Sequence, residues 1–335
     1  MPRQEAIFEN LNHSKDITLE VENVPKGFDV QIHLPLLVLA VLIVLLNGTV
    51  IGLFVRKRSL RSFTNYFLVS LAISDLLTGL LSIPFYVSCD ATERKDLCNA
   101  SNQFFVFTSL STILHIVAIT SDRYIAILKS LRYLDLVSKK RVQLVTAAIW
   151  LCCSFLTLIQ LTWTATSEEG PNDISTEDYQ KKELVYTIIM MVLGITPIPF
   201  MVFAYCCIFV QIHRQNSLTR EHNRLVGGWG EKRSTHELKT VCMFVLILFA
   251  YTFCSLPNAA FRLEMNIDDT LDDIPEFVFH IIMYLFFFTS FLNPCFYGFG
   301  KHDFRSAIND LFKTFRRQRN NSDNSNVSLI RTTGV

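Results

Sequence analysis

Three ionisable side chains stand in runs that are otherwise apolar: Asp75 in FLVSLAISDLLTGLL, and the adjacent pair Asp122 and Arg123 in AITSDRYIAIL. A charge in such surroundings is expensive unless it is paired, ligated or moved, so these residues are functional candidates by default. Asp75 offers carboxylate oxygens for a hard cation, or alternatively for hydrogen bonds between helices. Asp122 and Arg123 form an opposite-charge couple. Of nine cysteines, seven (Cys152, Cys153, Cys206, Cys207, Cys242, Cys254, Cys295) fall inside apolar runs and read as small buried hydrophobes. Only Cys89 and Cys98 sit near an edge that an oxidising compartment reaches; either they close a short loop or both stay free. There is no nucleophile elbow, phosphate loop or metal-ligand spacing, so the expected protein is not an enzyme, uses no catalytic metal or cofactor, and has no nucleic-acid partner.

What must hold these residues is a set of membrane spans. Of 335 residues, 50% are hydrophobic and only 18% charged, which points to the lipid bilayer as the solvent and partner. A hydrocarbon core about 30 Å thick takes roughly 20 mostly apolar residues per helix, because every backbone polar group must be satisfied within the segment. Seven stretches qualify: His33 to Val55, Thr64 to Ser88, Asn99 to Leu128, Arg141 to Thr164, Leu184 to His213, Leu238 to Leu263 and Glu276 to Phe299. The third is the most polar, diluted by Asn102, Gln103 and His115, as suits a helix surrounded by other helices. At about 1.5 Å per residue, the interval from Cys98 to Arg123 sets cysteine and charge pair near opposite membrane faces.

Lys and Arg in the short connections orient the bundle. Arg56, Lys57, Arg58 and Arg61 follow span one, Lys129, Arg132, Lys139 and Lys140 separate spans three and four, and Arg214, Arg220, Arg224, Lys232 and Arg233 separate five and six. These loops face the cytoplasm. On the opposite face, acids outnumber bases in all four segments, among them Asp268, Asp269, Asp272 and Asp273, so the N-terminus is expected outside. The first 30 residues lack the apolar core of a cleaved signal, so span one is expected to direct insertion. Residues 1–32 then form an extracellular tail, in which Asn12-His13-Ser14 matches a glycosylation acceptor; Asn99-Ala100-Ser101 matches too but abuts the membrane. Residues 33–299 form the seven-span bundle. Residues 300–316 place Phe304, Ile308, Leu311, Phe312 and Phe315 against Arg305, Lys313 and Arg316 at helical spacing, as a cytoplasmic amphipathic helix along the inner leaflet does. Residues 317–335, rich in Asn and Ser, are expected to be disordered. The fold class is therefore all-α: a seven-transmembrane bundle with one short amphipathic helix after the last span.

Several motifs now occur in order: Asn47-Gly48 in span one, Leu71-Ala72-Ile73-Ser74-Asp75 in span two, Asp122-Arg123-Tyr124 at the end of span three, and Trp150 in span four. Pro197 and Tyr205 follow in span five, Pro257 in span six, and Asn293-Pro294-Cys295-Phe296-Tyr297 in span seven. In these motifs the chain resembles the rhodopsin-like family of G-protein-coupled receptors, from span one to the helix after span seven. The resemblance implies a plasma-membrane receptor that transmits an extracellular ligand signal to a heterotrimeric G protein. It implies that Arg123 is restrained by Asp122 and by Glu237, and that opening span six frees it to admit the G protein's terminal helix. Tyr205 and Tyr297 are then the inner tyrosines that support the open state. Asp75, Thr112, Ser290 and Asn293 are the implied ligands of an allosteric sodium ion, with Thr112 keeping the hydroxyl where Ser is usual. Pro257 and Pro294 each remove a backbone hydrogen bond and are implied hinges. Ser322, Ser325, Ser328, Thr332 and Thr333 are candidate phosphorylation sites for receptor kinases and arrestin.

The resemblance also implies a ligand cavity, formed by Asn102, Phe105, Val106 and Ser109 on span three and by Ile189, Met190 and Leu193 on span five. Asn258, Phe261 and Arg262 on span six and Phe279, Met283 and Phe287 on span seven complete it. Its aromatic, apolar lining suits a small molecule. The outer half departs from the family pattern in three places. Phe105 stands where receptors for amines carry the aspartate that pairs with the ligand ammonium, so the chain is not expected to be a typical amine receptor, the alternative being that Glu264 or another acid compensates. Ser255 replaces the usual tryptophan two residues before Pro257, and Tyr251 stands where phenylalanine is usual, which makes elevated basal activity a hypothesis. No cysteine lies between Cys153 and Cys206, so the family's disulfide from Cys98 to the second outer loop has no partner. Span seven contains no lysine, which excludes a retinal Schiff base. Two alternatives stay open: a ligand-independent or non-signalling receptor, and an ion-linked transporter or channel using Asp75, although the inverted repeats and interrupted short spans common in transporters are lacking from the sequence pattern.

Overall fold

The computed structural model describes residues 27–164, 176–226, 231–267, 275–301, 303–311 and 313, and these form no β-strand. Asn12 and the candidate phosphorylation sites from Ser322 to Thr333 lie outside the described residues. Among the described residues, seven helices are long and apolar enough to cross a membrane. Span one is Val30–Arg56, span two Phe63–Thr92, span three Lys95–Leu128, span four Lys139–Thr164, span five Asp178–Leu218, span six Leu238–Phe261 and span seven Phe277–Phe296.

Local sequence explains the ends. Asp29 caps span one, its Oδ1 accepting from the Gln31 amide at 2.8 Å, and Ser62 caps span two through the Asn65 amide. Span two ends at Glu93, whose left-handed backbone (φ 53°) turns the chain into span three, and a Cys89–Cys98 disulfide closes that turn. Span five is interrupted at Thr196, because Pro197 has no amide hydrogen to continue the ladder. Span two also loosens into a π turn at Thr78–Ser82, where Gly79 lies against span one. A Cβ there would come within 2.9 Å of the Ala40 carbonyl and of Val44, so only glycine lets the two helices approach this closely.

Spans two and three are the most enclosed, which accounts for their polar content: His115 is fully buried, its Nε2 2.7 Å from the Ser70 hydroxyl, and Trp150 donates to the same hydroxyl at 2.9 Å. Two apolar clusters fill the bundle. An inner one gathers Leu53, Leu68, Leu71, Ile113, Ile116, Ile208 and Phe244; an outer one gathers Leu36, Ile43, Ile83, Tyr86, Phe105, Met283 and Phe287. Leu151, Phe155, Phe203, Phe249 and Phe253 face outward, where lipid rather than protein takes up apolar surface. The same holds for Cys152, Cys206 and Cys242, which the sequence reading places in the interior; an apolar run in a membrane helix does not distinguish core from lipid. After span seven, residues 303–311 are helical, with Phe304 and Ala307 buried against the bundle and Arg305 outward. Lys57 at the end of span one ties this helix down, donating to Asp310 at 2.7 Å.

Candidate functional site

At the inner end of span three, Asp122 is buried and Arg123 folds back onto it, with Nη2 2.7 Å and Nε 3.2 Å from the same Oδ2. Thr64 at the start of span two donates to that oxygen at 2.6 Å and also contacts the Arg123 guanidinium. Tyr133, in the turn after span three, donates to Asp122 Oδ1 at 2.8 Å. Burial and the facing carboxylate push the Tyr133 hydroxyl well above its ordinary range, so it remains a protonated donor. A charge-assisted knot of four side chains from three elements thus fixes Arg123. Sequence reasoning named Asp122 and Arg123 but not Thr64 or Tyr133, because ordinary polar residues at helix ends carry no signal of their own. The side chains of Glu237 and Tyr297 lie outside the described residues. One turn above, Tyr205 of span five meets the Thr120 hydroxyl at 2.9 Å.

Beside the knot, Lys301 is buried and donates to Asn65, whose own amide donates to the Leu60 carbonyl at 2.6 Å. Burial, reinforced by the nearby Arg123 charge, pushes Lys301 down to about 7. The amphipathic pattern gives Lys301 no such role. Only the packing of the last helix under span two brings it inside.

At mid-membrane, Asn293 donates to Asp75 Oδ2 at 3.0 Å, while Asn47 donates to the Ser290 carbonyl at 3.1 Å. Asp75 Oδ1, Ser74 Oγ and Asn47 Oδ1 are buried without a hydrogen-bond partner among the described residues. Thr112 directs its hydroxyl proton to the Thr108 carbonyl at 2.8 Å, which leaves its oxygen able to accept. Pro257 and Pro294 lie inside the sixth and seventh helices.

In the outer half, a cavity of about 110 Å³ opens between spans three, four, five, six and seven. It is lined by Asn102, Phe105, Val106, Ser109, Met190 and Asn258 of the expected set, and by Tyr251 and Ser255 deeper on span six. Six expected residues are not in its wall. Ile189 and Leu193 sit on the outward side of span five and face lipid. Phe261 and Phe279 pack on each other at 5.2 Å, and Phe287 on Tyr86 at 5.7 Å, forming a separate aromatic cluster. Met283 accepts from the Asn258 amide at 3.2 Å, behind the cavity wall. The Arg262 side chain lies outside the described residues.

Sequence reasoning missed Gln160 and Glu183, both in the cavity wall. Gln160 donates to Glu183 Oε1 at 2.5 Å and Trp163 to Oε2 at 2.9 Å. Hydropathy starts span five at Leu184, eight residues after the helix begins, and so assigns Glu183 to the outer loop. The helix in fact begins at Thr176, and Asp178, Gln180, Lys181 and Lys182 in its first two turns are polar and exposed, which takes this stretch out of an apolar run.

Residues 46–297 match the model of the 7 transmembrane receptor (rhodopsin family). The chain is 30% identical to the histamine H2 receptor of Cavia porcellus over 289 residues, covering 83% of this chain and 78% of that one. It is 31% identical to the histamine H2 receptor of Homo sapiens over 291 residues, covering 83% and 79%. To the octopamine receptor beta-2R of Chilo suppressalis it is 29% identical over 307 residues, covering 82% and 77%.

Proposed function

The chain belongs to the rhodopsin family of seven-transmembrane receptors, and from that premise we propose how its own residues transmit the signal. It is a multi-pass plasma-membrane receptor that carries an extracellular ligand signal to a heterotrimeric G protein, in a family of receptors rather than enzymes.

Arg123 is the switch. In this structure its guanidinium is bound to Asp122 and braced by Thr64, and Tyr133 holds the acid from the other side. The observation that carries the reading is this self-contained knot at the inner end of span three, on the same helix whose outer half lines the cavity. A ligand that favours a bundle with span six displaced shifts the population toward a state in which Arg123 leaves Asp122 and meets the G protein. Glu237 is a second restraint on Arg123, Tyr205 and Tyr297 support the open state, and Pro257 and Pro294 are the pivots. Phosphorylation of the serines and threonines near the C-terminus recruits arrestin after receptor kinases act.

The Asp75 pocket fits a sodium ion. A buried carboxylate oxygen with no hydrogen-bond partner among the described residues is an acceptor of the kind a hard cation takes, and Asn47 and Ser74 also carry unpartnered buried oxygens. Asp75, Thr112, Ser290 and Asn293 would hold the ion, which supplies positive charge that stabilises the resting packing of spans two, three and seven.

The outer cavity binds the ligand. The names of the relatives, histamine and octopamine receptors, support an amine as its class. The test of the signalling reading is nucleotide exchange on a G protein driven by the full-length receptor, basal or ligand-stimulated. Exchange present in the natural chain and lost in Arg123→Ala at equal surface expression is the expected result; exchange unchanged in that variant rejects it.

A further inference from the structure

We propose that Glu183 is the counter-charge of the outer cavity, which takes a small organic cation with its ammonium seated between the Glu183 carboxylate and the ring of Tyr186. The inference rests on the receptor reading and names the group that selects the ligand.

The usual place for such a charge is closed. Phe105 on span three packs against Phe286 of span seven at 4.1 Å between ring centres, so that wall presents hydrocarbon. Glu183 stands across the cavity on span five. Each of its oxygens takes one hydrogen bond from a neutral donor, Gln160 on one side and Trp163 on the other. A carboxylate accepts about four hydrogen bonds, so lone pairs remain on both oxygens for a ligand. The negative charge is oriented by these donors but not neutralised by them.

The orientation is built rather than incidental. Asn102 and Gln103 of span three both donate to Gln160 Oε1, at 3.2 and 3.0 Å. That fixes the Gln160 amide so that its NH2 group points at Glu183. Three spans therefore cooperate to hold one carboxylate at the cavity edge, a supporting shell of the kind that specific sites need. Tyr186 lines the cavity one turn further along span five, and the Trp163 ring stands against it edge-on at 5.5 Å. An aromatic face next to an acid is a recurring receptor for ammonium groups, combining ion pairing with attraction to the ring. Beyond this end the wall is Val106, Met190 and Phe286, which suits an apolar ligand body. The volume of about 110 Å³ selects a small molecule. A neutral ligand of the same shape would leave the carboxylate desolvated and unpaired, so charge itself discriminates.

The experiment measures binding apart from signalling. Purified full-length receptor is heated with histamine, octopamine or phenethylamine, and with phenethyl alcohol as the neutral counterpart, while the shift in thermal stability is titrated. At least one amine is expected to stabilise the natural chain and phenethyl alcohol not. Glu183→Gln keeps the shape and one of the two donor contacts while removing the charge, and is expected to weaken the amine by about 30-fold or more, whereas Glu183→Asp retains part of the affinity. Equal stabilisation by amine and alcohol, an unchanged titration in Glu183→Gln, or no response to any of the amines overturns the proposal. Surface expression and unliganded melting of Glu183→Gln equal to the natural chain show that the loss is not misfolding. Amine binding that depends on Glu183 without G-protein exchange would instead reject the signalling reading and leave this site standing.

Discussion

Asn293 of span seven donates a 3.0 Å hydrogen bond to one oxygen of Asp75 on span two and leaves the other oxygen, fully buried, with no hydrogen-bond partner among the described residues. Such an atom is expensive in a hydrocarbon interior unless something occupies its lone pairs. The arrangement couples two spans through one acid.

From that follows a dependence on sodium. Replacing choline chloride with sodium chloride should raise the melting temperature of the purified receptor, and Asp75→Asn should abolish the difference. Equal melting of the natural chain in both salts would count against a sodium site.

The knot around Arg123 should set basal output. Tyr133→Phe removes one donor to Asp122, and Thr64→Val removes another. A hydrogen bond to a charged group contributes about 1.5–3 kcal/mol, so each change should raise the active population by roughly tenfold to a hundredfold where it is a minor state. Ligand-free nucleotide exchange, normalised to receptor number, reads this directly; output at or below that of the natural chain contradicts the restraint.

Lys301 gives the inner face a pH dependence whose sign can be worked out. Its folded value of about 7 lies below the ordinary lysine value of 10.5, so between these limits the unfolded chain binds more protons than the folded one. Thermal stability should therefore rise from pH 7 toward 10, and Lys301→Gln should flatten that slope. The same slope in both proteins would place the titration elsewhere.

The Cys89–Cys98 bond closes a loop with a sequence separation of 9. In the chain-entropy description a loop of that size contributes on the order of 2–3 kcal/mol, less than a long closure does. Cys98→Ser should lower melting by a few degrees and, unlike the natural chain, show no mass change on reduction.

Gly79 should tolerate no side chain. Gly79→Val sets a methyl into the Ala40 carbonyl and Val44, and is expected to cost about 1–3 kcal/mol and reduce surface expression. Expression equal to the natural chain would mean that spans one and two separate there easily.

The inner half was largely legible because its residues break the apolar pattern. Asp75, Asp122 and Arg123 are conspicuous in any hydropathy count, and the motifs around them give their register. Thr64, Tyr133, Asn65 and Lys301 were not legible, since each acquires its role from a neighbour far along the chain: Asn65 and Lys301 meet only because the last helix folds under span two. The outer half was legible on span three, where four of four expected cavity residues line the wall, and poorly so on spans five and seven. There the apolar residues that look alike in sequence divide between cavity, aromatic core and lipid.

By itself the sequence determined seven crossings, their orientation and the family, because segment length, loop charge and local motifs are properties of the chain read one stretch at a time. Only the tertiary structure decided which side of each helix faces the interior. In a membrane both solvent and core are apolar, so hydropathy loses the contrast that separates inside from outside in water. That is why Ile189 turned out to face lipid, and why Glu183, a residue of the outer loop by hydropathy, stands in the cavity wall.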